Sequence, residues 1–544
     1  MTFLKNKTKS EKIISVVLTV ILLAFLALIF YVNLSCNPDY YDGDIYNDAN
    51  YAKEAWKAKS IFPKDWVFGN QTYVVATPVL AALLCGLTGN GFTALAIASC
   101  IMTVLIVLTY DWMTRTMFSY NERISGFLFM VGFLLFKAHI ATSQQGIQVF
   151  FTMASYYSCY LITAFVVYGC YVRLRQKRFT TKHIPMAVIG VLLSFGTGMQ
   201  SLRQTAVMAL PIIVCETLMV IIYTIRDKKF AFPPSAIFAE IVFVANIAGL
   251  FAMKFIQINQ VTIYGATSLI TDLKVLLHRV FYNIEYVALV FGPDDLKVRV
   301  RLVIASVFLL IILVGFVLCV RDFIKEKCSD SGYFVLILSL TLGCLSVFAA
   351  GVFTNIANRA LYFFMLYPLL AVCTAYILKK CEKKRLILFF VIAAFAASGI
   401  VFRSVGSIKE IRAGRDKNSE AHQIADFMLD NGYDTIYSVF GLGTVIDGAE
   451  DVIVASGEEI HLVQFKRVDR ALPMKPVHFL CVKDNYKRWD NAKSLYVVRK
   501  HELPYVEELA EKYGVKMTKV AEFESGKALY SMSENLCAYA DTQE

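Results

Sequence analysis

Three carboxylates, Asp42, Asp44 and Asp48, fall close together in the stretch Tyr40-Tyr41-Asp42-Gly43-Asp44-Ile45-Tyr46-Asn47-Asp48. A helix would put Asp44 and Asp48 on one face, with Tyr51 and Ala52 below them. Two isolated arginines, Arg203 and Arg359, stand where later apolar segments emerge, and His139 precedes a polar patch, Thr142-Ser143-Gln144-Gln145. A carboxylate can accept the proton of an attacking hydroxyl, and a guanidinium can hold a departing phosphate. That pairing is the minimum for transfer from a phosphate leaving group. A lipid donor would present its phosphate at head-group depth and an acceptor would arrive from water. The acid/base groups then belong in an external loop and the cations at the bilayer boundary.

The elements that would position these groups are apolar. The chain has 544 residues, 57% apolar and only 18% charged, with a mean hydropathy of +0.55. That composition fits a polytopic α-helical membrane protein and excludes an ordinary soluble globule. Lys5, Lys7, Lys9 and Lys12 precede the first apolar run, Ile13 to Leu34, which is too long for a signal-peptide core. Further spans are expected near 92–113, 123–138, 150–172, 185–200, 205–225, 236–256, 302–320, 333–352, 360–378 and 385–402, about eleven in all. Thr77 to Leu87 is apolar but short, and reads as an interfacial or re-entrant helix.

Charge tests this layout. Arg115, Arg123, Arg173, Arg175, Arg226, Arg321, Lys379, Lys380 and Arg385 all fall in the loops placed inside, whereas the short outer loops hold almost nothing basic except Arg203 and Arg359. This is the pattern that sets topology, and it accounts for the net charge of +11 without nucleic acid. The first external loop is 35–91. The second long one, 257–301, holds His278, Arg279, Asp294 and Asp295 and an expected interfacial helix around Thr271–Val290. The thirteen cysteines lie mostly inside apolar runs, as small hydrophobes, with no zinc spacing.

From Arg403 the apolar runs shorten. Residues 403–544 are expected to form a small α/β domain, separate from the membrane domain 1–402, with helices at Glu420–Asn431 and Pro504–Tyr513. Strands are expected near 434–440, 451–456, 477–482, 494–498, 516–523 and 528–532. An odd number of spans puts this domain outside, beside the aspartates. Gly441-Leu442-Gly443 lacks the remaining glycines of a dinucleotide loop.

Four features resemble the GT-C superfamily of polyprenyl-phosphate-sugar glycosyltransferases, which includes protein mannosyltransferases and lipid A aminoarabinose transferases. They are the acidic motif Asp42 to Asp48; its continuation through Ala52-Lys53-Glu54-Ala55 to Phe62-Pro63-Lys64-Asp65-Trp66; Asn358-Arg359-Ala360-Leu361-Tyr362, similar to an "RY" signature; and many spans followed by an extracytoplasmic domain. The resemblance covers the layout of most of the chain but only short pieces as motif. It implies a multi-pass plasma-membrane enzyme moving a sugar from a polyprenyl-phosphate carrier to an extracytoplasmic glycan, lipid or protein, with inversion. Asp44 would be the general base, assisted by Asp42 or Asp48. Arg203, Arg359, His139, His278 and Arg279 are the candidate substrate-binding groups. The family's paired Asp-Glu is here replaced by spaced aspartates, which leaves open which one is the base and whether a divalent cation such as Mg2+ or Mn2+ bridges them. Two other readings stand beside this one: a transporter or lipid flippase, for which Glu216, Glu240 and Lys254 are the few ionisable candidates within spans, and a non-catalytic envelope protein.

Overall fold

The computed structural model describes residues 9–140, 145–153, 157–261, 268–293, 296–328, 332–356, 358–441, 448–468 and 474–541. Lys5, Lys7, Thr142 to Gln144, Asp294, Asp295 and Leu442-Gly443 lie outside them.

The first helix, Lys9–Leu34, shows how the apolar runs pack. Leu18, Leu22, Phe25, Ile29 and Val32 recur at helical spacing and are buried, while Val16, Val20 and Leu23 face outward. An apolar outer face of this kind suits lipid and is unsuited to water. Nine described helices are long and apolar enough to cross a membrane: Lys9–Leu34, Gly91–Thr114, Thr181–Gln200, Thr205–Asp227, Pro234–Phe255, Val298–Lys325, Gly332–Phe353, Ala360–Lys380 and Arg385–Gly414. Tyr120–Lys137 and Ser158–Arg175 occupy the other two of the eleven expected positions. The chain is a multi-pass membrane protein.

Two boundaries differ from expectation. The helix expected at 150–172 begins only at Ser158. Upstream, Asn33 reaches out of the first helix and captures the backbone: its amide donates to the Phe151 carbonyl at 3.0 Å and its oxygen accepts from Met153 N–H at 2.8 Å. The last long helix passes the expected 402 and runs to Gly414. Its extension carries Glu410 to Tyr40 and His139.

The basic loops gather at one end of the bundle. There Arg385 meets Glu11 and Glu122, Arg123 meets Asp111, Arg178 bonds the Thr116 carbonyl, and Lys380 meets Asp322. At the opposite end lie the first-loop helix Gly43–Ala58, the short helix Thr77–Thr88 and the C-terminal unit.

Among the described residues eight strands form two sheets. They are β1 (Trp66–Phe68), β2 (Asn259–Gln260), β3 (Thr435–Val439), β4 (His461–Phe465), β5 (Cys481–Val482), β6 (Ser494–Arg499), β7 (Met517–Glu522) and β8 (Lys527–Met532). The smaller sheet, β2-β1-β5, stitches both long loops to the C-terminal unit. The larger runs β4-β3-β6-β8-β7, parallel between β4, β3 and β6 and antiparallel beyond. The strand expected at 451–456 is a helix, Glu450–Ala455, and β4 was not expected. Parallel β3 and β4 need a crossover between them, and this β-branched segment supplies it as a helix.

Candidate functional site

Asp42 closes the start of the first-loop helix, where its carboxylate accepts from the Ile45 N–H at 2.9 Å. Asp44 follows in the first turn, half-buried, where the unpaired backbone N–H groups favour negative charge. Asp48 lies one turn further and is 2% exposed. Its carboxylate accepts from the Tyr73 hydroxyl at 2.6 Å. Burial pushes the Asp48 carboxyl well above its ordinary range; the Tyr73 hydrogen bond opposes this, and the charges of Asp44 and Asp42 add to it. The three aspartates therefore have three different jobs: a cap, a half-exposed carboxylate and a buried one biased toward its neutral form.

Arg203 sits among three tyrosine rings. The Arg203 guanidinium lies 4.7 Å from the Tyr157 ring, 5.1 Å from Tyr362 and 5.5 Å from Tyr160. Arg359 is exposed three residues before Tyr362, and its charge also acts on the Tyr157 phenol. Arg279 is spent differently. Its Nη1 donates to the carbonyls of Gly351, Thr354 and Ile356 at 3.1, 2.6 and 3.2 Å, tying off the end of Gly332–Phe353. Asn283, one turn along the same helix, holds Asn358 beside Arg359. That helix, Leu273–Phe291, is thus a brace for the Arg359 segment. His278 is exposed on it, edge-on to Tyr282 at 4.5 Å, and is not brought to the arginines by any contact among the described residues. His139 pairs with Glu410 at 2.7 Å, and the other Glu410 oxygen accepts from Tyr40 two residues before Asp42.

One segment joins Asp48 to Arg203. Tyr73 holds Asp48, and two residues earlier the Gln71 side-chain oxygen accepts from Arg203 Nη1 at 3.1 Å. Between them Thr72 is pinned to the carbonyls of Met199 and Gln200, and the Gln200 side chain accepts from the Val74 and Val75 N–H groups. Gln200 also donates to the Tyr160 hydroxyl at 3.0 Å. Gln71, Tyr73, Gln200, Tyr157 and Tyr160 were not expected from sequence; the only local hint is a polar run, Asn70-Gln71-Thr72-Tyr73, between apolar elements.

The C-terminal unit sits over this arrangement. Gly43 N–H donates to the Gly441 carbonyl at 2.8 Å. A Cβ on Gly43 would lie 2.7 Å from the Phe440 ring and 2.9 Å from that carbonyl, so only glycine allows this approach without displacement. Lys53 meets Glu458 at 2.6 Å, and Glu458 accepts from the Gly91 and Phe92 N–H groups at the start of Gly91–Thr114. Among the described residues no three His, Cys, Asp or Glu side chains converge as a metal site.

No family model and no curated protein sequence matches the chain. Solved structures do. ArnT from Cupriavidus metallidurans bound to undecaprenyl phosphate superposes with a TM-score of 0.53 and 12% identity, over 94% of this chain and 97% of that one. The same protein in the apo state gives 0.52 and 12%, over 96% and 99%. End to end, this chain shares the fold of ArnT, in keeping with the layout of spans followed by a C-terminal domain read from the sequence.

Proposed function

We propose that the protein is an integral membrane glycosyltransferase that moves one sugar from a polyprenyl-phosphate carrier to an acceptor on the non-cytoplasmic face. The observation that carries this reading is the Gln71–Tyr73 segment, which couples the carboxylate helix, at Asp48, to Arg203 through two side chains two residues apart. The ArnT-like fold, in a protein whose relative was solved with undecaprenyl phosphate, supports the donor class. The gathering of basic loops at the opposite end supports the sidedness, with the N-terminus in the cytoplasm and the C-terminal unit outside.

Asp44 takes the acceptor hydroxyl proton; it is the carboxylate neither spent on the cap nor buried. The acceptor oxygen then bonds to the anomeric carbon as the bond from that carbon to the phosphate oxygen breaks. The electron pair leaves with the lipid phosphate, whose charge Arg203 and Arg359 stabilise. One displacement inverts the anomeric centre. Asp48, held near neutral by burial, keeps a second full charge away from Asp44. His139 and Glu410 position the start of the first loop through Tyr40. The transporter reading loses its best mid-chain carboxylate, since Glu216 is bound by Arg175, Tyr171 and Ser235.

The test is sugar transfer in membranes supplied with lipid-linked sugar. Loss of a general base lowers turnover by about 10²–10⁴-fold, and that is the range expected for Asp44→Asn. Removing one charge-assisted phosphate contact in Arg359→Ala lowers transfer by roughly 10- to 100-fold. Transfer equal to wild type in both variants rejects these assignments.

A further inference from the structure

Tyr160 stands at the hub of the hydrogen bonds around Arg203. It lies on the helix Ser158–Arg175 and is 0% exposed. Its hydroxyl has three polar neighbours: the Gln71 side-chain oxygen at 3.2 Å, the Ser201 hydroxyl at 2.8 Å and the Gln200 side-chain nitrogen at 3.0 Å.

The direction of each bond follows from the donors at hand. A guanidinium only donates, so the Gln71 atom that meets Arg203 Nη1 at 3.1 Å is the oxygen, and Tyr160 donates to that same atom. The phenol proton is then spent. Gln200 turns its oxygen to the Val74 and Val75 N–H groups, which leaves its nitrogen to donate to Tyr160. Ser201 must therefore donate to the Tyr160 oxygen as well. The Ser201 oxygen in turn accepts from the Arg203 N–H at 3.3 Å, at a helix start where backbone N–H groups lack helical partners. One phenol oxygen thus holds Arg203 by two routes: through Gln71 to the guanidinium and through Ser201 to the backbone. The ring itself lies 5.5 Å from the guanidinium and adds a third hold.

Among the described residues Arg203 makes one side-chain hydrogen bond, to Gln71, and no ion pair. Arg175, by contrast, is consumed by Glu216, and Arg279 by three carbonyls. A part-buried guanidinium held from both ends, yet given no carboxylate, keeps its remaining N–H groups for an anion that arrives.

Resting on the transferase reading above, we propose that Tyr160 is the positioning residue of the donor site, its hydroxyl setting the direction in which Arg203 meets the lipid phosphate. With its proton and both lone pairs used inside the network, that hydroxyl acts only through Arg203.

Tyr160→Phe keeps the ring and removes the hydroxyl. Isothermal titration of purified full-length protein with farnesyl phosphate reads binding without turnover, with farnesol as the uncharged control. The wild type binds the phosphate more tightly than the alcohol. Tyr160→Phe weakens farnesyl phosphate about three- to tenfold, the loss expected for one neutral hydrogen bond, and leaves farnesol unchanged. In an Arg203→Met background the same change has no further effect, because nothing is left to position; a merely structural role gives the same loss in both backgrounds. Gln71→Leu and Ser201→Ala each cut one route and each give part of the loss, so the test stands even if Tyr160→Phe fails to fold. No preference for phosphate over alcohol in the wild type, binding unchanged by all three single substitutions, or equal losses with and without Arg203 overturns the proposal. In the membrane assay Tyr160→Phe raises the lipid-donor KM by the same factor while the acceptor KM holds. A rise in acceptor KM instead overturns the positioning role and leaves the transferase reading intact. Tyr160-dependent binding of farnesyl phosphate by a protein that transfers no sugar retains the positioning of Arg203 and removes the transferase reading.

Discussion

Glu450 offers a prediction whose size follows from its surroundings. It opens the crossover helix Glu450–Ala455 and is 0% exposed. Its Oε1 accepts from the Gly441 N–H at 3.1 Å and from the Gln464 amide at 3.0 Å, while Oε2 is buried with no partner among the described residues. Gly441 is the residue whose carbonyl holds Gly43, so Glu450 stands directly behind the tie between the C-terminal unit and the first-loop helix. Burial raises its carboxyl from 4.5 to about 7; hydrogen bonds from backbone N–H groups and Gln464 pull it down, and Asp451 adds a further rise. A raised folded-state value means that the folded protein keeps a proton the unfolded chain has lost. Below pH 4.5 both states are protonated and nothing is lost. Stability then falls as pH rises toward 7, where the folded protein also loses the proton. Above that the full penalty applies, about 3 kcal/mol at pH 8 against about 1 kcal/mol at pH 5. Glu450→Gln keeps the accepting oxygen and carries no charge. It should therefore stabilise the C-terminal unit by about 3 kcal/mol at pH 8 and by far less at pH 5, a gain of several degrees in Tm at the higher pH. The assay is thermal unfolding of both full-length proteins in detergent across pH 5–9. Every other titrating group is common to both, so the difference between the curves isolates this side chain. Parallel curves, with the same Tm gap at pH 5 and pH 8, would refute the reasoning.

Asp48→Asn should keep a partner for Tyr73 while removing a buried ionisable group; transfer stays within roughly tenfold of wild type, far above Asp44→Asn, and the variant gains thermal stability as pH rises above the ordinary carboxylate range. Equal losses at both positions would contradict the assignment of the base to Asp44. At the opposite end of the bundle, Arg175→Met leaves Glu216 buried without its guanidinium, and breaking such a pair costs about 3–5 kcal/mol. Detergent unfolding should show a large fall in Tm that the double change Arg175→Met with Glu216→Leu mostly restores. Arg279→Gln releases three carbonyls beside the Arg359 segment, so the lipid-donor KM should rise severalfold while the acceptor KM holds; an effect on the acceptor alone would argue against the brace.

What could be read from the residues in order was whatever a local rule determines. Apolar runs of bilayer length give the spans, and the helix that would set Asp44 and Asp48 on one face is found at Gly43–Ala58. Arg203 and Arg359 stood out because each is a lone cation in an otherwise neutral outer loop. What could not be read depends on partners far away in the chain. The segment 451–456 has the β-branched composition of a strand, and a short apolar run does not reveal its period. Its helical form follows from the parallel pairing of β3 with β4, a fact of topology. Ser158 starts its helix late because a side chain from the first span, Asn33, holds the backbone before it.

The joining of the two halves of the site is the extreme case of that dependence. Gln71 and Tyr73 carry no signature, since a glutamine and a tyrosine in a polar loop are unremarkable by type. Their roles arise because Gln200 and Met199, more than a hundred residues later, hold the backbone between them, so that one side chain is turned toward Arg203 and the other toward Asp48. Moving either anchor changes the placement of the proposed base and the proposed phosphate site together. A reaction that must hold an acceptor hydroxyl and a lipid phosphate on opposite sides of one carbon depends on that placement more steeply than on the identity of any single residue that sets it.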